Sequence, residues 1–69
     1  MVEVFKTNIS KVRQSKTLIK KLLAHFPASY VNIDMDDCDK VLRVEGEDIC
    51  SDKIITLVMA DGYYCKVLM

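Results

Sequence analysis

The 69-residue sequence has one proline, two glycines and one histidine, and it lacks tryptophan. No linker, repeat or low-complexity tract interrupts it. It has no run approaching the ~18 apolar residues of a membrane span, and its N-terminus lacks the apolar core and cleavage site of a signal peptide. A Gly-rich phosphate loop and a nucleophile–base pair are also missing. We therefore predict a soluble, cytoplasmic protein that is not an enzyme.

The three cysteines form no C-x-x-C pair. Cys38, Cys50 and Cys65 are separated by 12 and 15 residues, spacings that match no zinc framework. Their odd number also argues against a disulfide framework, so we expect free thiols in a reducing compartment.

The chain length fits a single domain over residues 1–69. Surface scaling predicts that a chain of this size buries about 60% of its unfolded surface. That is enough for one two-layer core, but it leaves little room for the walls of a deep catalytic cleft.

The second half of the chain has the clearer secondary-structure pattern. Alternating apolar residues predict two half-buried strands joined by an acidic turn, with Val31, Ile33 and Met35 in the first and Leu42 and Val44 in the second. A helix follows, and a last strand comes after it. The helix begins near Ser51 and Asp52, has apolar residues at Ile54, Ile55, Leu57 and Val58, and ends at Gly62. The last strand alternates at Tyr63, Cys65 and Val67, and Met35 and Met59 are expected to fill the core.

The first half predicts a strand from Val2 to Thr7 and then a helix. Either Val2, Val4 and Lys6 or Glu3, Phe5 and Thr7 face the core, and Phe5, Thr7 and Ile9 are the better inward set because Lys6 then stays in water. Asn8 or Ser10 is expected to cap the helix. Pro27 ends it. The apolar stripe of this helix is predicted to comprise Val12, Ser15, Ile19, Leu22, Leu23 and Phe26, with Arg13, Lys16 and Lys20 opposite.

The element order βαββαβ predicts an α+β, ferredoxin-like sandwich. Two right-handed crossovers joined by a hairpin give a four-stranded antiparallel sheet of order 4-1-3-2 with both helices on one face. In that arrangement the first strand–helix turn, the hairpin near Asp37 and the helix exit at Gly62 share one end. His25, Pro27, Gly46 and Cys50 fall at the other end.

This pattern resembles the heavy-metal-associated domain family of soft-metal chaperones and copper-ATPase modules. The similar pieces are the NIDM strand, the KVLRVEG strand, the Ser51-started helix and the DGYYCKVL ending. The resemblance implies the fold over nearly the whole chain. It also implies that Ile9 occupies the core position of the family's motif methionine, and that Tyr63 packs beneath the metal-binding loop.

The family's M-x-C-x-x-C motif is missing from this chain. Its two thiolates, one helical turn apart near a helix N-terminus, hold Cu(I) or Zn(II). The two cysteines would fall at Lys11 and Gln14, or at Val12 and Ser15 if the register moves by one. Neither pair supplies a thiol, so we interpret the chain as a degenerate member of the family without the usual soft-metal site.

The formal charge is zero, but the two halves differ. Residues 1–29 carry six cations and one anion, whereas residues 30–69 carry four cations and nine anions. One interpretation is two solvated faces. The other is a basic helix and an acidic rim that orient a charged partner.

Two functions remain open. The first is protein interaction or regulation by a non-catalytic module without a cofactor, which binds an unidentified protein partner through residues near the empty motif. Those residues are Asn8, Ser10, Lys11, Arg13 and Tyr63. The alternative is a metallochaperone-like role in metal binding or transport, with a weak zinc or copper site at altered ligands. These ligands are Cys38, Asp36, Asp37 and Asp39, although aspartates are also common in tight turns.

We predict that neither nucleic acid nor a membrane is a partner. The chain is predicted to be a monomer or a weak homodimer, because the second strand is an exposed edge that can pair between molecules. RNA-recognition domains share this element order, but they stack bases on aromatic residues of the open sheet face. Here that face is predicted to show a single aromatic residue and a negative patch. The residues expected there are Asn32, Asp34, Arg43, Tyr64 and Lys66.

Overall fold

A computed structural model describes residues 1–68 of the chain and contains four strands and two helices. In chain order the elements are β1 (Val2–Thr7), α1 (Val12–His25), β2 (Tyr30–Asp34), β3 (Val41–Glu45), α2 (Ser51–Ala60) and β4 (Cys65–Val67).

The four strands form one antiparallel sheet in the order β2-β3-β1-β4. Read in reverse this is 4-1-3-2, so the predicted ferredoxin-like α+β fold is confirmed. Phe5 lies opposite Leu42 on β3 and opposite Val67 on β4, which places β1 in the centre of the sheet. The helices cover one face, with α1 packed against β2 and α2 against β4.

The core lies between that face and the helices. The inward set Phe5, Thr7 and Ile9 is confirmed, because all three side chains are buried. Strands β2 and β3 contribute buried residues at the alternating positions that the sequence indicates. The buried hydrophobic residues are Phe5, Ile9, Leu18, Leu22, Val31, Ile33, Leu42, Val44, Ile49, Ile54, Val58 and Cys65.

Helix α1 begins differently from the prediction. Neither Asn8 nor Ser10 is its N-cap, since the helix starts at Val12 after Lys11, whose backbone is extended. Instead, the Oε1 atom of Gln14 reaches back and accepts the backbone N–H groups of Ser10 (3.1 Å) and Lys11 (3.2 Å). A bond from the N-cap N–H to a side chain in the first helical turn is one of the two bonds of a capping box. It supplies an acceptor for backbone N–H groups just before the helix.

Three residues predicted inside are exposed. Val12 exposes 57% of its surface because the first residue of α1 lies to one side of the buried stripe, and that stripe includes Leu18, which the prediction omitted. Met59 is also 57% exposed, on the outer side of the last turn of α2. Val67 is 36% exposed because it ends a three-residue edge strand.

The predicted grouping of loops at one end is confirmed by hydrogen bonds. The backbone N–H of Thr7 donates to the carbonyl of Asp39 (3.0 Å), which joins the end of β1 to the hairpin loop. The backbone N–H of Tyr64 donates to Oδ1 of Asn8 (2.8 Å), which joins the segment after α2 to the same place. We call this end of the domain the loop end.

The opposite end holds a concavity with a volume of about 400 Å³. His25, Pro27 and Gly46 line it, as their predicted placement requires, together with Ile49. The backbone N–H of Gly46 donates to the carbonyl of Met1 (3.0 Å), so the start of the chain is fixed there as well.

Candidate functional site

The segment between β1 and α1 holds the residues at which the resemblance would place two cysteines. Ile9 is fully buried, whereas Lys11 and Val12 are exposed. Gln14 uses its side-chain oxygen to cap the helix, and the hydroxyl of Ser15 donates to the carbonyl of Val12 (2.7 Å). In each possible register one of the two side chains, Gln14 or Ser15, therefore makes hydrogen bonds at the helix start, and Lys11 brings a positive charge to this segment.

The five predicted partner-binding residues lie close together at the loop end, but they differ in accessibility. Ser10, Lys11 and Arg13 are exposed, and Asn8 is exposed while holding the backbone of Tyr64. Tyr63 is half-buried and packs against the core. The accessible part of this surface therefore comprises the other four.

Four exposed cations lie on helix α1 and at the residue before it. Lys11 at its start and Arg13, Lys16 and Lys20 along it are all exposed. Within residues 1–68, none of these four has an ion-pair partner. The first turn contains no acidic residue. The positive charge therefore faces solvent and is available to an external group.

Two other lysines behave differently. Lys6 pairs with Asp39 of the hairpin loop (3.4 Å between Nζ and Oδ1), and Lys21 pairs with Asp61 just beyond α2. The second pair shows that the side of α1 carrying Lys21 faces α2. Two of the cations in the first half of the chain thus pair with anions of the second half, whereas the four cations named above remain unpaired within residues 1–68.

The hairpin loop brings three candidate ligands together. The ligand atoms of Asp37, Cys38 and Asp39 all lie within 4.8 Å of one another, and Asp36 is not a member of this group. Asp37 Oδ1 accepts the backbone N–H of Asp39 (2.8 Å), and Asp39 pairs with Lys6. The carboxylates therefore shape the turn as well as lying near the thiol. One thiol and two carboxylates fall short of the four ligands typical of a closed zinc site.

The other two thiols are not part of this group. Cys65 is buried on the inner face of β4, and burial raises the pKa of its thiol to about 11. The thiol therefore stays protonated near neutral pH, which opposes both nucleophilic attack and metal binding. Cys50 is exposed at the N-cap position of α2, and all three cysteines are free. His25 is exposed at the other end of the domain from Cys38.

The open face of the sheet corrects one prediction. Tyr30 alternates with buried Val31 and is 62% exposed, so this face has a second aromatic residue besides Tyr64. Its charges are also mixed. The outward positions of the strands carry the cations Lys6, Arg43 and Lys66 and the anions Asp34 and Glu45, around a shallow depression lined partly by Val2, Val4 and Val41.

No family model, no curated protein and no solved structure matches this chain. Among residues 1–68, neither helix has the length and apolar character needed to cross a membrane.

Proposed function

We propose that this chain is a non-catalytic protein-interaction or regulatory domain that recognises an acidic protein segment through α1. The observation that carries the proposal is the set of exposed cations Lys11, Arg13, Lys16 and Lys20, which have no ion-pair partner within residues 1–68. A solvent-facing cluster of one sign attracts an oppositely charged partner and speeds its association.

An exposed apolar side chain lies within this charged surface. Val12 sits between Lys11 and Arg13 with 57% of its surface in water. Protein interfaces commonly combine an apolar anchor with a polar rim. The combination favours a protein partner, because a purely electrostatic contact does not require the anchor.

A nucleic acid fits the surface less well than an acidic protein does. Asp34 and Glu45 lie on the open face beside Arg43, and the hairpin loop adds Asp36 and Asp37. These carboxylates would repel a phosphate backbone that extended beyond α1. An acidic peptide segment is shorter and needs only the α1 cations.

The proposal includes descent from a heavy-metal-associated-like domain that has lost its soft-metal ligands. The order of elements, the burial of Ile9 and the half-buried packing of Tyr63 support it. The loss of a site leaves the framework free for another task, since a fold by itself does not determine function. The two exposed free thiols, Cys38 and Cys50, suit a cytoplasmic location.

Selection from a displayed peptide library tests this function. Selected peptides are expected to be acidic, and the double variant Lys11→Glu/Arg13→Glu is expected to bind them about tenfold more weakly. The matched control is Lys53→Glu/Lys66→Glu, which makes the same change in net charge on other exposed lysines. Equal weakening by both variants, or selection of peptides without acidic residues, would refute the proposal.

Metal handling at the hairpin loop is the second candidate, favoured by the proximity of the Asp37, Cys38 and Asp39 ligand atoms. Zn(II) or Cu(I) titrated into the reduced protein would then shift the amide signals of residues 36–39 at micromolar concentrations. The Cys38→Ser variant would lose that response. Identical responses from the wild-type protein and the variant would eliminate this candidate.

A further inference from the structure

The sheet has an unpaired edge at β2, and the strand pairing shows which of its groups are free. Gly46 N–H donates to the carbonyl of Met1, and hydrogen-bonded pairs alternate with non-bonded ones in an antiparallel ladder. Following that alternation, Val44 and Leu42 bond to β1, so β3 bonds to β2 through Val41, Arg43 and Glu45.

On β2 the residues paired by those bonds are Tyr30, Asn32 and Asp34. The backbone N–H and C=O groups of the alternate residues, Val31 and Ile33, therefore point away from the sheet at its free edge. A row of this kind is a template for one more strand.

One flank of α1 overhangs this edge. Successive residues are about 100° apart around a helix, so Val12, Lys16, Ile19 and Leu23 fall on the flank opposite Lys21. Lys21 faces α2 through its ion pair with Asp61, and α1 packs on β2. The flank therefore faces away from α2 and lies above the free edge of β2. Ile19 and Leu23 are only partly buried, and Val12 and Lys16 are exposed.

We propose that the β2 edge and this flank bind an extended acidic peptide segment of a partner protein, which adds to the sheet as a fifth strand. The inference rests on the proposed function and specifies how the acidic segment is held. Residues of the guest strand opposite Val31 and Ile33 point toward the helix layer, where apolar side chains would pack on Ile19 and Leu23. Acidic residues at the next alternate positions toward each end of the guest strand point to the same face and would contact Lys16 and Lys20.

The charges favour this guest over a second copy of the chain. Pairing of two β2 edges would bring the α1 flanks together, with Lys16 and Lys20 of each copy facing the same seam. Like charges across an interface destabilise it. An acidic guest turns the same lysines into favourable contacts.

Amide NMR with a synthetic peptide tests the inference. The probe is a short blocked peptide with isoleucine at two alternate central positions and glutamate toward both ends. On binding, hydrogen exchange at the Val31 and Ile33 amides is expected to slow about tenfold or more, because these amides become hydrogen-bonded. Two further peptides carry N-methyl groups on alternate amides. The set that faces β2 should lose about tenfold in affinity, and the other set should bind normally.

Charge variants complete the test. Lys16→Glu and Lys20→Glu are each expected to weaken binding about fivefold, whereas Lys66→Glu on the other edge strand, β4, should not.

The failures are distinguishable. Glutamate-dependent binding that shifts Lys11 and Arg13 but leaves exchange at Val31 and Ile33 unchanged would overturn strand addition and leave the proposed function standing. Absence of binding at millimolar peptide would overturn both. Self-association of the free protein through β2, seen as slowed exchange at high protein concentration without peptide, would identify a second copy as the occupant and also overturn the inference.

Discussion

The hydroxyl of Thr7 donates a 2.6 Å hydrogen bond to the backbone carbonyl of Lys40. Thr7 ends β1 and is buried, while Lys40 closes the hairpin loop with a φ of 45°. The two residues are 33 positions apart, so this bond joins the hairpin loop to the turn that leads into α1, as does the bond from the Thr7 N–H to the Asp39 carbonyl. These bonds hold the hairpin loop beside the segment that leads into α1.

The Thr7→Val variant tests the contribution of that hydroxyl. Valine keeps the shape of the side chain but leaves the Lys40 carbonyl without this donor, so the free energy of unfolding should fall by about 1–2 kcal/mol. Urea denaturation measures the change. Thr7→Ser retains the hydroxyl and should recover most of the bond. An unchanged stability in Thr7→Val would show that water replaces the bond at no cost.

The two glycines should respond differently to alanine. Gly62 has a φ of 93° and open space around its Cβ position, so Gly62→Ala suffers from backbone strain alone. Gly46 has an ordinary φ, but a Cβ there would lie 3.1 Å from the Cβ of Ser29 and 3.2 Å from Cγ2 of Ile49.

We expect each of these alanine variants to lose about 1 kcal/mol of stability. A second substitution separates the causes. Ser29→Gly removes the closer contact and should restore part of the loss in Gly46→Ala, while leaving Gly62→Ala unaffected. Restoration of both variants, or of neither, would contradict the assigned causes.

The buried thiol of Cys65 predicts an alkaline loss of stability. Its pKa rises from 9.0 to about 11 on burial, so the unfolded chain releases this proton at lower pH than the folded protein. The free energy of unfolding should therefore fall as the pH rises from 9 toward 11, by about 2 kcal/mol from this group. Below pH 9 the contribution is constant.

Comparison with Cys65→Ala isolates that term, since the tyrosines and lysines titrate in both proteins. The difference in unfolding free energy between wild type and variant should narrow over this pH range. A thiol-reactive dye should also label Cys38 and Cys50 rapidly and Cys65 slowly, because only Cys65 is buried. Rapid reaction of all three thiols would contradict the burial.

Two positions of α1 should differ sharply in their tolerance of truncation. Leu18 is fully buried, and Leu18→Ala should cost about 2–5 kcal/mol of stability. Val12→Ala at the exposed start of the helix should change stability by less than about 0.5 kcal/mol. Thermal or urea unfolding measures both. A large loss in Val12→Ala would mean that the side chain packs inside after all.

Much of the fold could be predicted because its signals are local. The alternation at Val31, Ile33, Leu42 and Val44 reports one face of each strand, and Pro27 stops the first helix by its covalent geometry. Right-handed crossovers then restrict the sheet to few orders.

What could not be predicted depends on contacts between distant segments or on the helix boundary. The side chain of Gln14, and not that of Asn8 or Ser10, accepts the backbone N–H groups before α1. The helix starts at Val12. Val12 and Met59 are apolar at helical spacing, but each lies at a helix end beyond the reach of the core. Pattern alone does not show where a core stops.

The candidate site was predicted in part. The sequence located the basic helix and the acidic hairpin, since these are matters of residue type. It did not show that Asp39 is paired with Lys6, or that Lys21 is paired with Asp61, because each pair joins segments far apart in the chain. These pairs show that Lys6 and Lys21 are bound within the fold, whereas Lys11, Arg13, Lys16 and Lys20 are available to a partner.

A charge-swap measurement tests the central claim most directly. The Lys11→Glu/Arg13→Glu protein is titrated with the selected acidic peptide and with its basic counterpart, in which lysine replaces every acidic residue. Attraction between the α1 cations and the partner predicts that the reversed protein loses about tenfold in affinity for the acidic peptide and gains affinity for the basic one. Wild-type affinity of the reversed protein for the acidic peptide would contradict the claim that these cations recognise the partner.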